Sequence, residues 1–222
     1  MEETAGGCMS NTRQAILKNI RSSLQRDALS SDATAQLESR FTQHAVHEQP
    51  DLSQLDLLER FTEKLTALAG TIESVDSLAE VPTAIEAFLK PHNLVSAAVV
   101  DKRLIDLPWA TGFKVSCRSA QGSDKISISR AFAGIAETGT ITLLSCAENP
   151  VTMNFLPDIH IVVLHKQDLL LHIEQVWAKV REAGAMPRTV NFITGPSRTA
   201  DIEQTIQLGA HGPRFFHVIV VP

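Results

Sequence analysis

The chain has 222 residues, a length that fits one large domain or one domain carrying a helical appendage. Apolar residues make up 44% of it and charged residues 20%, with a formal net charge of -5, which excludes an intrinsically disordered chain and a nucleic-acid binder built on a basic footprint. Eleven glycines and ten prolines are ordinary usage, and the three scattered cysteines, Cys8, Cys117 and Cys146, argue against a disulfide framework or a cysteine-built zinc or iron-sulfur site.

Residues 1–10 read as a loose tail. From Thr12 to position 27, Ile16, Leu17, Ile20 and Leu24 recur at helical spacing between basic residues, which predicts an amphipathic helix capped by Asn11 or Thr12. Residues 28–50 are polar, with few apolar side chains at either period, and read as a linker or extended arm. A second helix follows, with Leu55, Leu58, Phe61, Leu65 and Leu68 as its buried stripe and Gly70 ending it. The expected division is therefore 1–50, a tail with helix and arm, and 51–222, an α/β domain.

Beyond Gly70 strands and helices alternate. Thr71–Val75 is strand-like, and Ser77 opens a helix carrying Val81, Ile85, Phe88 and Leu89 that Pro91 stops. Residues 94–100 form a continuous apolar run of the kind buried on both faces of a sheet. Weaker strand patterns lie at 113–117 and 126–129, and stronger ones at 138–145, 159–164, 189–194 and 215–221. Helices are expected from Gln167 to about Glu182 and from about Asp201 to Leu208. This alternation predicts an α/β layered fold with a mostly parallel sheet and an N-terminal helical extension. No run reaches the roughly eighteen apolar residues of a membrane span, and no basic start precedes an apolar stretch. A cytoplasmic protein without membrane insertion is the expectation.

Three segments carry residues suited to chemistry. In the first, Gly195-Pro196-Ser197-Arg198-Thr199 joins a strand to the expected helix at 201–208. Free N–H groups at a helix start attract anions, Ser197 and Thr199 add hydroxyls, and Arg198 can grip a carboxylate or phosphate bidentately. Its bland alternative is a plain turn and cap. In the second, Glu137 stands among small residues beside Thr138, Gly139 and Thr140; it is either an exposed turn residue or a carboxylate placed for acid–base or nucleophilic work. Gly134 and Gly139 permit close approach of a ligand or another backbone. In the third, His211 follows the expected short helix and titrates near neutrality, as a base or as a structural hydrogen-bonding residue. No protein-bound metal is expected, because His160 and His165 point to opposite faces of one strand and the His44/His47 pair sits in the polar arm.

Four strings, Ile135-Ala136-Glu137-Thr138-Gly139-Thr140, Leu156 to Val163 (LPDIHIVV), Gly195 to Glu203 (GPSRTADIE) and Leu208 to Pro213 (LGAHGP), make the chain resemble the LUD-domain family, in its lactate utilization protein C group. The resemblance covers the last hundred residues or so and implies a fold similar to the NagB/RpiA/CoA-transferase group. It further implies a subunit without a cofactor of its own, taking part in the oxidation of L-lactate to pyruvate with iron-sulfur oxidoreductase subunits. The ligand implied is a small carboxylate or phosphate, held by Thr138–Thr140, Gly195 and Ser197–Thr199, with Glu137 and His211 as the catalytic candidates. Many family members carry an Arg where this chain has residues 151–155; Arg130 and Arg198 are the cations that could substitute. The alternatives are a stand-alone acyl-CoA transferase or sugar-phosphate isomerase-like enzyme using Glu137, and a non-catalytic adaptor docking through residues 1–50.

Overall fold

The computed structural model describes residues 7–26, 29–43, 49–51, 54, 56–92, 97–147, 149–200 and 206–222, with the backbone alone at 7–11, 42, 199–200 and 206–208. The chain falls into two units, Met1–Gln49 and Pro50–Pro222.

The first unit holds two helices, α1 (Gly7–Ser23) and α2 (Ser31–Gln43). The first begins within the stretch expected to be a tail. The second corrects the reading of 28–50 as an extended arm. The Ser30 hydroxyl accepts from the Ala33 N–H at 3.2 Å and so caps the helix start. Ala33, Leu37 and Phe41 then repeat at the helical interval of four, among good helix formers. His44 and His47 lie outside the described residues.

In the second unit α3 (Leu57–Ala67) starts where the Asp56 carboxylate accepts from the N–H groups of Leu58 and Glu59, both at 2.9 Å. Those two bonds hold the Asp56 carboxyl below its ordinary range. A six-stranded sheet follows, wholly parallel, made of β1 (Thr71–Ser74), β2 (Ala97–Val100), β3 (Lys114–Ser116), β4 (Ile126–Arg130), β7 (Ile159–His165) and β12 (Phe215–Val221) in the order β1-β12-β7-β4-β2-β3. Its central strands are buried on both faces, which is why they read as unbroken apolar runs. Ile159, Ile161 and Val163 of β7 turn to one side, where Val81, Ala84, Ile85 and Leu89 of α4 (Val81–Leu89) cover them. Val162 and Leu164 turn to the other, against Phe61 and Leu65 of α3. Each such fully buried side chain contributes about 1.5–3 kcal/mol of transfer free energy.

On the α3 side lies a second sheet, β8-β5-β6-β9, built from β5 (Ala133–Ile135), β6 (Thr140–Leu144), β8 (Leu169–Leu170) and β9 (Val190–Ile193). Ile141 and Leu143 face the core shared with α3. Ala133 and Ile135 face outward onto Val176 and Val180 of α6 (Ile173–Glu182). A one-turn helix, α5 (Thr152–Phe155), leads into β7. The fold is thus α/β and layered, with a parallel main sheet.

Two helix boundaries need correction. Residues 167–172 are not helical: a 3-10 turn at Lys166–Asp168 gives way to β8, whose Leu169 and Leu170 pair with Gly134 and Ile135, and the helix starts only at Ile173. Of the helix expected at 201–208, residues 206–208 are strand. Arg198–Ala200 forms β10 and pairs antiparallel with β11 (Ile206–Leu208), while 201–205 lie outside the described residues. The β-branched residues Thr199, Ile202, Thr205 and Ile206 suit a strand pair better than a helix. Among the described residues no helix is long and apolar enough to cross a membrane.

Candidate functional site

The link from β5 to β6 is a tight turn, Ala136–Gly139, closed by the Gly139 N–H donating to the Ile135 carbonyl at 2.9 Å. Gly139 adopts φ +68°, and a Cβ there would stand 2.4 Å from the Leu65 backbone nitrogen of α3. What approaches this glycine closely is therefore the backbone of a helix.

The N–H groups of Ala136 and Glu137 donate to the carbonyls of Leu170 and Leu171, which extends the β5–β8 pairing and carries His172 up to the turn. There His172 Nδ1 meets Glu137 Oε2 at 2.9 Å. A carboxylate accepts and does not donate, so the hydrogen of this bond sits on Nδ1. The Gln175 carboxamide oxygen takes the N–H groups of Leu171 and His172 and fixes the backbone beneath the ring. The Glu137 side chain is 28% exposed, against 9% for His172. The pair is a buried, oriented imidazole with a partly exposed carboxylate, an arrangement suited to moving a proton.

Beside it runs a chain of hydroxyls: Thr138 Oγ1 to Thr140 Oγ1 at 2.7 Å, and Thr140 Oγ1 to Thr194 Oγ1 at 2.6 Å. Thr194 follows β9 and precedes Gly195, at φ +83°, where a Cβ would lie 2.8 Å from the Leu68 carbonyl oxygen. One end of α3 thus presses on both turns, 137–140 and 194–196, and sets them side by side. The Gly195–Ser197 loop continues against the segment 209–213. Ser197 N–H donates to the Pro213 carbonyl, the Ser197 carbonyl accepts from Gly209 N–H, both at 2.9 Å, and Gly212 packs on the Ser197 side chain.

The sequence-predicted residues are thereby brought together in part. Glu137, Thr138, Gly139, Thr140 and Gly195 share the face of α3, and Ser197 joins the His211 loop through backbone bonds. Arg198 lies exposed on β10, Thr199 follows it in the same strand, and the His211 side chain is exposed. Among the described residues no hydrogen bond or ion pair links Arg198 or His211 to Glu137. At the expected helix start, Thr199 and Ala200 belong instead to strand β10, paired with β11, and Asp201 lies outside the described residues.

Sequence reasoning missed His172 and Thr194. The signal for His172 was the Gln three residues on, at a helix start; the signal for Thr194 was its place at a strand end before Gly-Pro. It also missed a buried polar set on the α3 side of the main sheet. Ser129 Oγ donates to Asn149 Oδ1 at 3.4 Å and accepts from His160 Nε2 at 3.1 Å, while Ser127 Oγ donates to the Met153 carbonyl at 2.6 Å. Burial pushes His160 down to about 3, so its ring is neutral and Nδ1 bears a lone pair. His160 Nδ1, Asn149 Nδ2 and Asn154 Oδ1 have no hydrogen-bond partner among the described residues. The alternation Ile-Ser-Ile-Ser at 126–129, polar on one face of a central strand, was the mark of it. Among the described residues no three His, Cys, Asp or Glu side chains form a group able to hold a metal ion.

The sequence matches the LUD domain over residues 58–221, almost the whole of the second unit. The chain belongs to the LUD-domain family. Lactate utilization protein C of Geobacillus thermodenitrificans is 34% identical over 110 residues, covering 47% of this chain and 46% of that protein, so the chain spans about half the length of that relative. The protein of the same name from Shouchella clausii is 27% identical over 187 residues, 77% of this chain and 81% of its own length. In structure this LUD domain is similar to a DUF162 family protein from Deinococcus radiodurans, with a TM-score of 0.57 at 23% identity, covering 75% of this chain and 96% of that one. This last likeness concerns the fold. The Glu137 turn, β7 and the Gly195 loop all lie within the matched region.

Proposed function

We propose that the chain serves lactate utilization as a subunit without a cluster of its own, taking part in the oxidation of L-lactate to pyruvate with iron-sulfur partner proteins. The observation that carries the reading is membership of the LUD-domain family, among relatives named for lactate utilization. Oxidation of a 2-hydroxy acid to a 2-oxo acid removes two electrons and two protons. The C2–H bond breaks, and its hydrogen and both electrons leave to the redox centres of the iron-sulfur partner proteins. His172, oriented by Glu137 through the 2.9 Å bond, takes the hydroxyl proton on Nε2. The substrate carboxylate is received by the loop segment Gly195–Arg198, next to the hydroxyl chain, where Arg198 is the exposed cation.

The test is lactate-dependent reduction of an electron acceptor by the chain reconstituted with its iron-sulfur partners. Glu137→Gln and His172→Gln should each lower the rate on the order of 10²–10⁴-fold, the usual contribution of a positioned base. Wild-type rates in both variants would remove the pair from the reaction. A covalent acyl adduct on Glu137 after incubation with a CoA thioester, seen by mass spectrometry, would replace this reading with acyl transfer.

A further inference from the structure

A cavity lies at the other end of the β5–β6 hairpin from Glu137. Strands rise about 3.3 Å per residue, so Phe132 and Glu137 stand some 15 Å apart along the hairpin. The cavity, of about 340 Å³, opens above the carboxyl ends of β2 and β4, the edge of a parallel sheet where ligands are commonly received.

Two arginines stand in its wall. Arg130 is the last residue of β4, and Arg103 follows the end of β2; both line the cavity. Among the described residues a carboxylate, that of Asp101, bonds Arg103. Asp101 is fully buried and accepts from the backbone N–H and Nε of Arg103, each at 2.9 Å, and from its Nη2. The Arg130 backbone is held in the same knot: its N–H approaches Asp101 Oδ2 at 3.5 Å and its carbonyl accepts from Arg103 Nη2 at 3.3 Å. Its guanidinium has no ion-pair partner among the described residues. The nearby Lys179 adds nothing, because it is paired with Asp168 and donates to the Phe132 carbonyl. The Arg130 guanidinium, with no ion pair among the described residues, borders a half-enclosed space and is suited to receive a negative charge.

The remaining wall is mixed. Ser145 Oγ accepts from the Thr189 N–H at 2.9 Å, which leaves its own hydrogen for a ligand oxygen. Phe132, Leu144 and Met186 are apolar. At roughly 30 Å³ for each water-sized group, the space holds on the order of eleven such groups, more than a three-carbon acid fills. We propose that this cavity binds a monocarboxylate with an apolar body, its carboxylate on Arg130 and Ser145 and its hydrocarbon part on Phe132, Leu144 and Met186.

Cys146 lines the same cavity, is exposed and is free, and so reports on it. Iodoacetate and iodoacetamide alkylate a thiolate by the same displacement of iodide but differ in charge. Their rates at Cys146 are compared by peptide mass spectrometry in the full chain. Cys117 is the internal reference, also free and exposed, with its neighbour Arg118 bound to Asp124 at 2.6 and 2.7 Å. The preference for iodoacetate at Cys146 should exceed that at Cys117 about tenfold or more, the lower range for a charged hydrogen bond. Arg130→Gln should bring it to the Cys117 level, and Arg130→Lys should keep most of it. Millimolar hexanoate or benzoate should protect Cys146, and acetate or inorganic phosphate should protect it far less. Equal preferences at the two cysteines, or a preference indifferent to Arg130→Gln, would overturn the site. Protection by phosphate as strong as by hexanoate would overturn the carboxylate assignment, and by acetate the apolar one. The Cys117 rate and the unfolding midpoint show whether each variant is folded, and no lactate turnover enters the readout, so the outcome is separate from that of the Glu137 assay.

Discussion

Gly139 meets two constraints at once: a left-handed φ of +68° and a helix backbone where a Cβ would stand. A methyl group there must displace either the turn or α3, neither of which is a flexible side chain. Gly139→Ala should therefore cost about 2–4 kcal/mol, from backbone strain and overpacking together, measured by denaturant unfolding. Because the same turn carries Glu137, proton transfer should be lost with it even where the variant still folds. The glycine itself was legible in the sequence as a place of close approach. Which partner approaches was not, since that depends on a helix some seventy residues earlier in the chain. His172 was hidden for a similar reason: thirty-five residues separate it from Glu137, and only the pairing of β8 with β5 brings them together.

Among the elements, α3 does two jobs with opposite faces of its end. Phe61 and Leu65, both fully buried, anchor it on the main sheet, and Leu65 to Leu68 support the two glycine turns. Phe61→Ala should cost about 3–5 kcal/mol in denaturant unfolding, the range for deleting a fully buried phenyl group. It should also raise hydrogen exchange at Gly139 and Gly195 more than at β2 or β3. The apolar strands of the main sheet were readable because burial on both faces leaves an unbroken run, and α3 because its stripe keeps a strict period. The elements misread were those whose pattern is decided elsewhere. Residues 31–43 carry a sparse stripe that a capping serine completes. Leu169–Leu170 looks like the start of α6 until β5 claims it. Residues 206–208 form a strand only because 198–200 lie opposite. The turn at Gly195 was legible from its residue types, whereas the strand at 206–208 was not.

For the molecule as a whole, two histidines set the response to acid. Burial pushes His160 down to about 3, and burial also lowers His217, whose Nε2 bonds Glu73 at 2.9 Å against that trend. A histidine depressed in the folded state takes up its proton more readily when unfolded, where its value is near 6.5. Its contribution is therefore intact above about pH 6.5 and is lost as pH falls toward the folded value, by up to about 1.4 kcal/mol per pH unit for each group. Between pH 6.5 and 5 the unfolding free energy should fall with this slope. His160→Asn should flatten it, whatever that change does to stability at pH 7. An unchanged slope would mean that His160 does not titrate on unfolding.

The order of strands in space has a further consequence in time. β12 lies between β1 and β7, pairing with both, although β1 precedes it by about 140 residues and β7 by about 50. As the polypeptide emerges during synthesis, β1 and β7 are made long before the segment that joins them. Their facing edges must wait, unzipped, for a latecomer, and loop closure over such spans is slow. A newly made chain is therefore most open to misassembly or chaperone capture in that interval, and insertion of β12 is the event that ends it.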